Sequence, residues 1–348
     1  MAKIDDPITI KSITFRNRIG MSPMCQYSAI DGFVNNWHYM HYGTRAIGGV
    51  GLIIVEASAV SPEGRITPSD VGIWKDEHIS ELKKLVENIH SNGSIAGIQI
   101  AHAGRKASHA APWNGSKQLI SSESDWETIA PSPIPFDPSE KSPNEMTYSD
   151  IKAIVNQFRD GAKRALEAGF KVLEIHAAHG YLIHEFLSPL SNIRTDKYGG
   201  NFENRVRILL EVVNAVKEVW PSNLPLFVRL SATDWVENGW DLNESVKLSS
   251  LLKQKGVDVV DCSSGGNIIS AQIPVEKGYQ IHFAEAIRET GIMTAAVGMI
   301  TSAEQISNIL ENEKADMVLL GRELLRNPYF VLKAIKNQNW PIQYLRAK

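Results

Sequence analysis

Short apolar, β-branched runs recur along this chain with amphipathic stretches between them. The runs cover 18–24, 51–58, 94–102, 171–178, 225–232, 257–265, 292–300 and 315–322. Their length and near-continuous apolar character suit strands buried on both faces. Stretches such as 76–91, 148–168, 201–220, 242–255 and 302–312 carry apolar residues at helical spacing. The order is strand then helix, eight times over, which calls for parallel strands joined by right-handed crossovers. Eight such units predict an α/β fold, a (β/α)8 TIM barrel, with an open doubly wound sheet as the structural alternative. The 348 residues fit a single domain spanning 1–348, because such barrels routinely exceed about 250 residues as one unit.

One interval breaks the rhythm. From 103 to 147 the chain is rich in Pro, Ser and Trp, with Pro131, Pro133, Pro135 and Pro138 closely spaced. A loop that long is usually functional or disordered. It reads as an excursion capping the barrel mouth after the third strand, with a functionless insertion as the alternative, and no catalytic residue is placed in it.

Composition narrows the partners. A net charge of -3 without a long Lys/Arg run argues against nucleic acid and against an anionic membrane surface. Lys3, Asp5 and Asp6 interrupt the apolar segment a signal peptide would need, and no stretch approaches the ~18 apolar residues of a membrane span, so a cytoplasmic protein is expected. Cys25 and Cys262 are the only cysteines. They fit a reducing compartment and are too few for a four-cysteine iron–sulfur cluster, so redox chemistry would need another cofactor.

Barrel enzymes place their chemistry at the C-terminal ends of the strands. Those ends carry Ser22 to Tyr27, Glu56-Ala57, Gln99 with His102, His176 with His179 and Tyr181, Arg229, Ser263 to Gly266, Gly298, and Gly321-Arg322. Gly298, Gly321 and Arg322 lie at the last two strand ends, the usual phosphate position, and suggest a phosphorylated cofactor; glycines making tight turns are the plain alternative. His176 and His179 could present two N–H donors to one oxygen, or two nitrogens to a metal with His184 or Glu185 as a third ligand, or form an ordinary buried pair. Tyr181 adds a phenol, protonated at neutral pH and suited to general acid work. The Gly48-Gly49-Val50-Gly51 cluster precedes a strand instead of linking a strand to a helix, so it is no dinucleotide fingerprint. Without a Rossmann unit, a nicotinamide donor would share the open mouth with the substrate.

Three segments resemble the Old Yellow Enzyme family, in its thermophilic-like subgroup, and the similarity extends over nearly the whole chain. Ser22-Pro23-Met24-Cys25-Gln26-Tyr27 resembles the family's flavin-cradling first strand, including the subgroup's cysteine. His176-Ala177-Ala178-His179-Gly180-Tyr181-Leu182 resembles its substrate segment. Asp196-Lys197-Tyr198-Gly199-Gly200-Asn201-Phe202-Glu203-Asn204-Arg205 is close to a family signature, with Asn201 where serine is more usual.

The resemblance implies an FMN-dependent, NADPH-oxidising ene-reductase. FMN contacts would come from Ser22, Pro23, Met24, Cys25, Ala57, Gln99, Arg229, Gly321 and Arg322. Gln99 offers a donor and an acceptor to the pyrimidine edge, and Arg229 can offset charge on the reduced ring. Tyr27, His176 and His179 would face the substrate, an enone or related electrophilic alkene, and Tyr181 would deliver the proton. No metal is implied. The tail, 337–348, resembles members whose C-terminal arginine enters a neighbouring subunit's site, which makes Arg346 the candidate and a homodimer or homotetramer the expected assembly; a frayed tail is the alternative. Competing classes are a metal-dependent barrel hydrolase, a flavin carrier without turnover, and an FMN barrel oxidising 2-hydroxy acids.

Overall fold

The computed structural model describes residues 2–120, 125–335 and 340–347. Eight strands form the barrel: β1 Ile19–Met21, β2 Leu52–Ala59, β3 Ile95–Ala101, β4 Val172–Ala177, β5 Leu226–Ser231, β6 Val259–Ser263, β7 Met293–Ala296 and β8 Met317–Leu320. Every neighbouring pair is parallel, and β8 returns to β1 through Val318↔Ile19 and Leu320↔Met21. Closure pairs every strand on both sides and rules out the open sheet.

Each of the eight apolar runs contains one strand, and the first, seventh and eighth runs continue past the ladder into the barrel mouth. Residues 22–24, 297–300 and 321–322 lie beyond the ends of β1, β7 and β8. Pro23 has no N–H to give a ladder, and Gly298 turns at φ 123°. These overruns are the segments that line the barrel mouth.

The outer ring comprises α1 Asn36–Ile47, α2 His78–Ser91, α3 Tyr148–Glu167, α4 Arg207–Lys217, α5 Leu242–Gln254, α6 Ile281–Arg288, α7 Ala303–Glu311 and α8 Arg322–Arg326. On α3, Ile151, Ile154, Phe158, Ala162 and Ala165 form the buried stripe, and Thr147 with Asp150 closes its N-terminus as a capping box. The stretch 201–220 is not one helix. A short helix, Phe202–Arg205, precedes α4, and Val206 caps it with ψ −9°.

Two apolar layers hold the barrel. The larger lies between strands and helices; the smaller fills the interior with Leu52, Ile54, Val172, Phe227, Val259 and Leu319. An N-terminal hairpin, Ile8–Ile10 paired with Ile13–Phe15, contributes Ile8, Ile10 and Phe15 to that interior cluster. It packs with residues from the early parts of the strands, leaving the opposite end for polar groups.

The excursion carries two 3-10 turns, Gly104–Lys106 and Pro112–Asn114, and a strand pair, Ile129–Ala130 with Asn144–Glu145. Its residues 121–124 lie outside the described residues, as do 337–339 and 348 of the tail. Among the described residues no helix is long and apolar enough to cross a membrane.

Candidate active site

The pleat and register bring five polar strand residues to neighbouring levels. Gln99 on β3 is opposite Glu174 on β4, His176 on β4 is opposite Arg229 on β5, and Arg229 is opposite Asp261 on β6. Gln99 Nε2 donates to Glu174 Oε1 at 2.7 Å, and Arg229 Nε pairs with Asp261 Oδ2 at 3.0 Å. Both carboxylates are fully buried. Burial, and then the charge of Asp261, pushes the Glu174 carboxyl up to about 8. The base of the site is therefore a fixed polar floor whose Gln99 and Arg229 side chains also face the cavity above.

That cavity, about 300 Å³, is lined by Ser22, Pro23, Met24, Cys25, Tyr27, Ala57, Gln99, His176, His179, Tyr181, Arg229, Val297, Gly321 and Arg322. A second cavity of about 170 Å³ shares Arg229, Val297, Gly321 and Arg322 with it and adds Ser263, Gly298 and Met299. The cofactor, substrate and proton-donor residues implied by the resemblance, with Gly298 and apart from Arg346, thus line these two adjoining cavities; Glu56, His102, Ser264 to Gly266, His184 and Glu185 line neither. Arg346 is exposed on a terminal 3-10 segment, Ile342–Ala347.

The His176–Tyr181 segment is shaped by its backbone. His179 adopts φ 61° and Gly180 φ 72°; the first is a left-handed conformation that a residue with a side chain occupies only under constraint. Three bonds supply the constraint. His179 N–H donates to Ser231 Oγ at 2.9 Å, Lys106 Nζ donates to the His179 carbonyl at 2.9 Å, and Gly180 N–H donates to His184 Nδ1 at 2.9 Å. As a result the rings of His176 and His179 meet edge to face, with His179 Nδ1 3.3 Å from His176 Nε2. The Tyr181 ring stands perpendicular to His176 at 5.0 Å.

Electrostatics keep these groups in defined states. Burial, then the positive charge of Arg229, holds both imidazoles well below the ordinary histidine range. Burial holds the Tyr181 and Cys25 protons well above their usual values. Neutral imidazoles and a protonated phenol are the forms present at neutral pH.

His184 and Glu185, considered as metal ligands, are engaged elsewhere. His184 Nε2 lies 3.0 Å from Asp234 Oδ1, and Glu185 accepts the Arg105 N–H at 2.8 Å.

The structure gives roles to residues that the strand-end survey either passed over or assigned none. Lys106, at the start of the excursion, bonds His179 and Gly266 carbonyls and lies 5.2 Å from the Tyr181 ring. Trp113, also in the excursion, meets Tyr27 edge to face at 5.7 Å. Glu56, fully buried, accepts from Gln26 N–H at 2.7 Å and Tyr42 O–H at 2.9 Å, which fixes the loop carrying Cys25 and Tyr27. A basic pair directly after a strand end and a carboxylate at the end of β2 were the only sequence signals for Lys106 and Glu56.

A family model described as the NADH:flavin oxidoreductase / NADH oxidase family matches residues 3–340. The chain is 51% identical to an NADPH dehydrogenase of Bacillus subtilis (strain 168), over 99% of each protein. It is 52% identical to an NADPH dehydrogenase of Geobacillus thermodenitrificans (strain NG80-2), over 98% of this chain and 97% of that one. Among solved structures, morphinone reductase in complex with tetrahydroNAD aligns with a TM-score of 0.79 at 27% identity, over 97% of this chain and 92% of that one.

Proposed function

The chain belongs to the NADH:flavin oxidoreductase / NADH oxidase family, and from that premise we propose that it uses NADPH and FMN to reduce the activated C=C bond of α,β-unsaturated carbonyl compounds in a ping-pong cycle. The observation that carries this reading is the convergence of His176 Nε2 and His179 Nδ1, 3.3 Å apart, beside the Tyr181 ring on one cavity.

The donor set suits FMN. Gln99 is oriented by Glu174 and can pair with the pyrimidine edge, and Arg229 supplies a positive charge anchored by Asp261. Gly298 lines the second cavity at φ 123°, where a Cβ would crowd Gln280, 2.8 Å from its Nε2. In this assignment Ser22, Pro23, Met24, Cys25 and Ala57 would flank the ring, and Gly298, Gly321 and Arg322 would hold the phosphate end. Bound there, FMN would supply the hydride chemistry that links NADPH to the β-carbon of the alkene.

The chain's own residues do the rest. His176 and His179 hold the substrate oxygen and meet the negative charge that develops on it, each such donor contributing about 3 kcal/mol in comparable oxyanion sites. Tyr181 gives its O–H proton to the α-carbon and regains one from solvent, which completes the addition of H2 across the double bond. Tyr27 packs beside the substrate. One trough serves both NADPH and the alkene, so they occupy it in turn.

Three broader assignments belong to this reading. The whole chain acts as one FMN-binding unit capped by 103–147. Arg346 completes the site of a neighbouring subunit in a homodimer or homotetramer. A cytoplasmic location belongs to the same reading, supported by two cysteines that stand free as in a reducing compartment.

The test is an anaerobic visible spectrum of the purified protein. Flavin bands should bleach with NADPH and return when 2-cyclohexenone is added. A colourless protein that FMN does not reconstitute would overturn the reading.

A further inference from the structure

His176 Nδ1 accepts the Ala178 N–H at 3.2 Å, so the single proton of the neutral ring sits on Nε2. That Nε2–H faces His179 Nδ1 at 3.3 Å, and His179 Nε2 lies 2.7 Å from Ser263 Oγ. A contact between the two rings uses one N–H only: His176 donates to His179 Nδ1, and the His179 proton lies on Nε2, pointing at Ser263. An oxygen held by both rings needs a second N–H, on His179 Nδ1. A neutral imidazole carries one proton, so that tautomer leaves Nε2 as an acceptor. The neighbour of Nε2 is a hydroxyl, which can change from acceptor to donor by rotating about its C–O bond.

We propose that Ser263 is a positioning residue for the reduction: its hydroxyl donates to His179 Nε2 and so holds the Nδ1–H tautomer that meets the substrate oxygen. The inference rests on the carbonyl-binding reading above. Going from one tautomer to the other, His179 gives up one proton and takes one from solvent, so no net charge changes. Two features make Ser263 specific for this role. Ser231, the other serine beside His179, is committed to the backbone, receiving His179 N–H and donating to the Gly265 carbonyl. Burial beside Arg229 also opposes a doubly protonated His179, which could otherwise supply both N–H groups without help.

The test uses FMN-loaded enzyme with ¹⁵N-labelled histidine and cyclohexanone, a saturated ketone that cannot be reduced at a C=C bond. In the unsubstituted enzyme, saturating ketone should convert His179 from the Nε2–H to the Nδ1–H form. Ser263→Ala should weaken ketone binding about tenfold, the loss of one hydrogen bond, and abolish the tautomer change. Ser263→Thr should restore both. A His179 tautomer that stays the same with and without ketone overturns the role of Ser263, as does a Ser263→Ala enzyme that binds ketone normally. Should Ser263→Ala fail to fold, the tautomer of the unsubstituted enzyme and the Ser263→Thr variant still decide it. A holoenzyme that binds no ketone at all defeats the carbonyl reading itself, a result distinct from either of these.

Discussion

Lys106 Nζ donates to the main-chain carbonyl of His179 at 2.9 Å although the two residues stand 73 positions apart. The bond ties the 103–147 excursion to the left-handed turn that sets His179 against His176. Replacing Lys106 by Met keeps an unbranched side chain but removes the donor, together with the ammonium that lies over the Phe136 and Tyr181 rings. A hydrogen bond from a charged group contributes about 1.5–3 kcal/mol. K106M should therefore lower kcat/KM for an enone by about ten- to a hundredfold while FMN content stays normal. Steady-state kinetics with flavin quantitation checks this, and unchanged kinetics would remove Lys106 from the site.

The same residue predicts the pH profile. Burial, then the charge of Arg105, lowers the Lys106 ammonium to about 8, against roughly 10.4 in an unfolded chain. As pH rises through about 8 the folded enzyme loses this charge and with it the stronger bond to His179. The imidazoles lie well below 6.5 and Tyr181 well above 10, so neither titrates in that window. The Glu174 carboxyl beneath Gln99, pushed up to about 8, changes charge in the same window. The rate of enone reduction by pre-reduced enzyme should fall above about pH 8, and K106M should lack the part of the fall that Lys106 causes; a K106M profile with the whole fall assigns it elsewhere.

The barrel was legible because eight strands buried on both faces leave near-continuous apolar runs, and each run holds one strand. The strand ends were overrun because Val297 and Ile300 stay apolar where the backbone has already left the ladder. The His176–Tyr181 cluster was legible because it is local in sequence. Lys106, Glu56 and Ser263 were not assigned roles, since their roles depend on contacts across 73, 30 and 84 positions respectively. Nothing local in a sequence reports a lysine that finds a carbonyl on the next strand's loop.

Replacing both His176 and His179 by Ala should separate the two half-reactions. Each donor in such a site is associated with about 10²–10³ in rate, and the pair acts on one oxygen, so the losses will not multiply fully. Stopped-flow measurement should show oxidation of the reduced enzyme by 2-cyclohexenone slowed at least about a hundredfold, with reduction by NADPH affected less. Equal, full activity in the double variant would sink the role given to the histidines.

Arg346 is exposed in the chain alone, with the half-buried Tyr344 against Tyr329 at 5.9 Å. If it completes a neighbouring site, deleting residues 346–348 should raise KM for the enone with little change in flavin reduction by NADPH. Sedimentation and kinetics on the same preparation test this together. Unchanged KM and unchanged assembly would return the tail to solvent.

Gly180 offers a test of the turn itself. It sits at φ 72°, and a Cβ there would lie 2.2 Å from the Gly266 carbonyl oxygen and 2.7 Å from Asn267 Cα. Both atoms are backbone, so no side chain can swing aside. Part of the cost of Gly180→Ala is conformational, about 1 kcal/mol or more for a left-handed non-glycine residue. The rest is the displacement of the 265–267 loop, whose Gly266 carbonyl also receives Lys106. Gly180→Ala should lower the melting temperature and cut enone turnover further than the stability loss explains, because His179 moves with the turn. A variant with native melting temperature and native turnover would show that the turn tolerates a side chain and that its geometry does not govern the histidine pair.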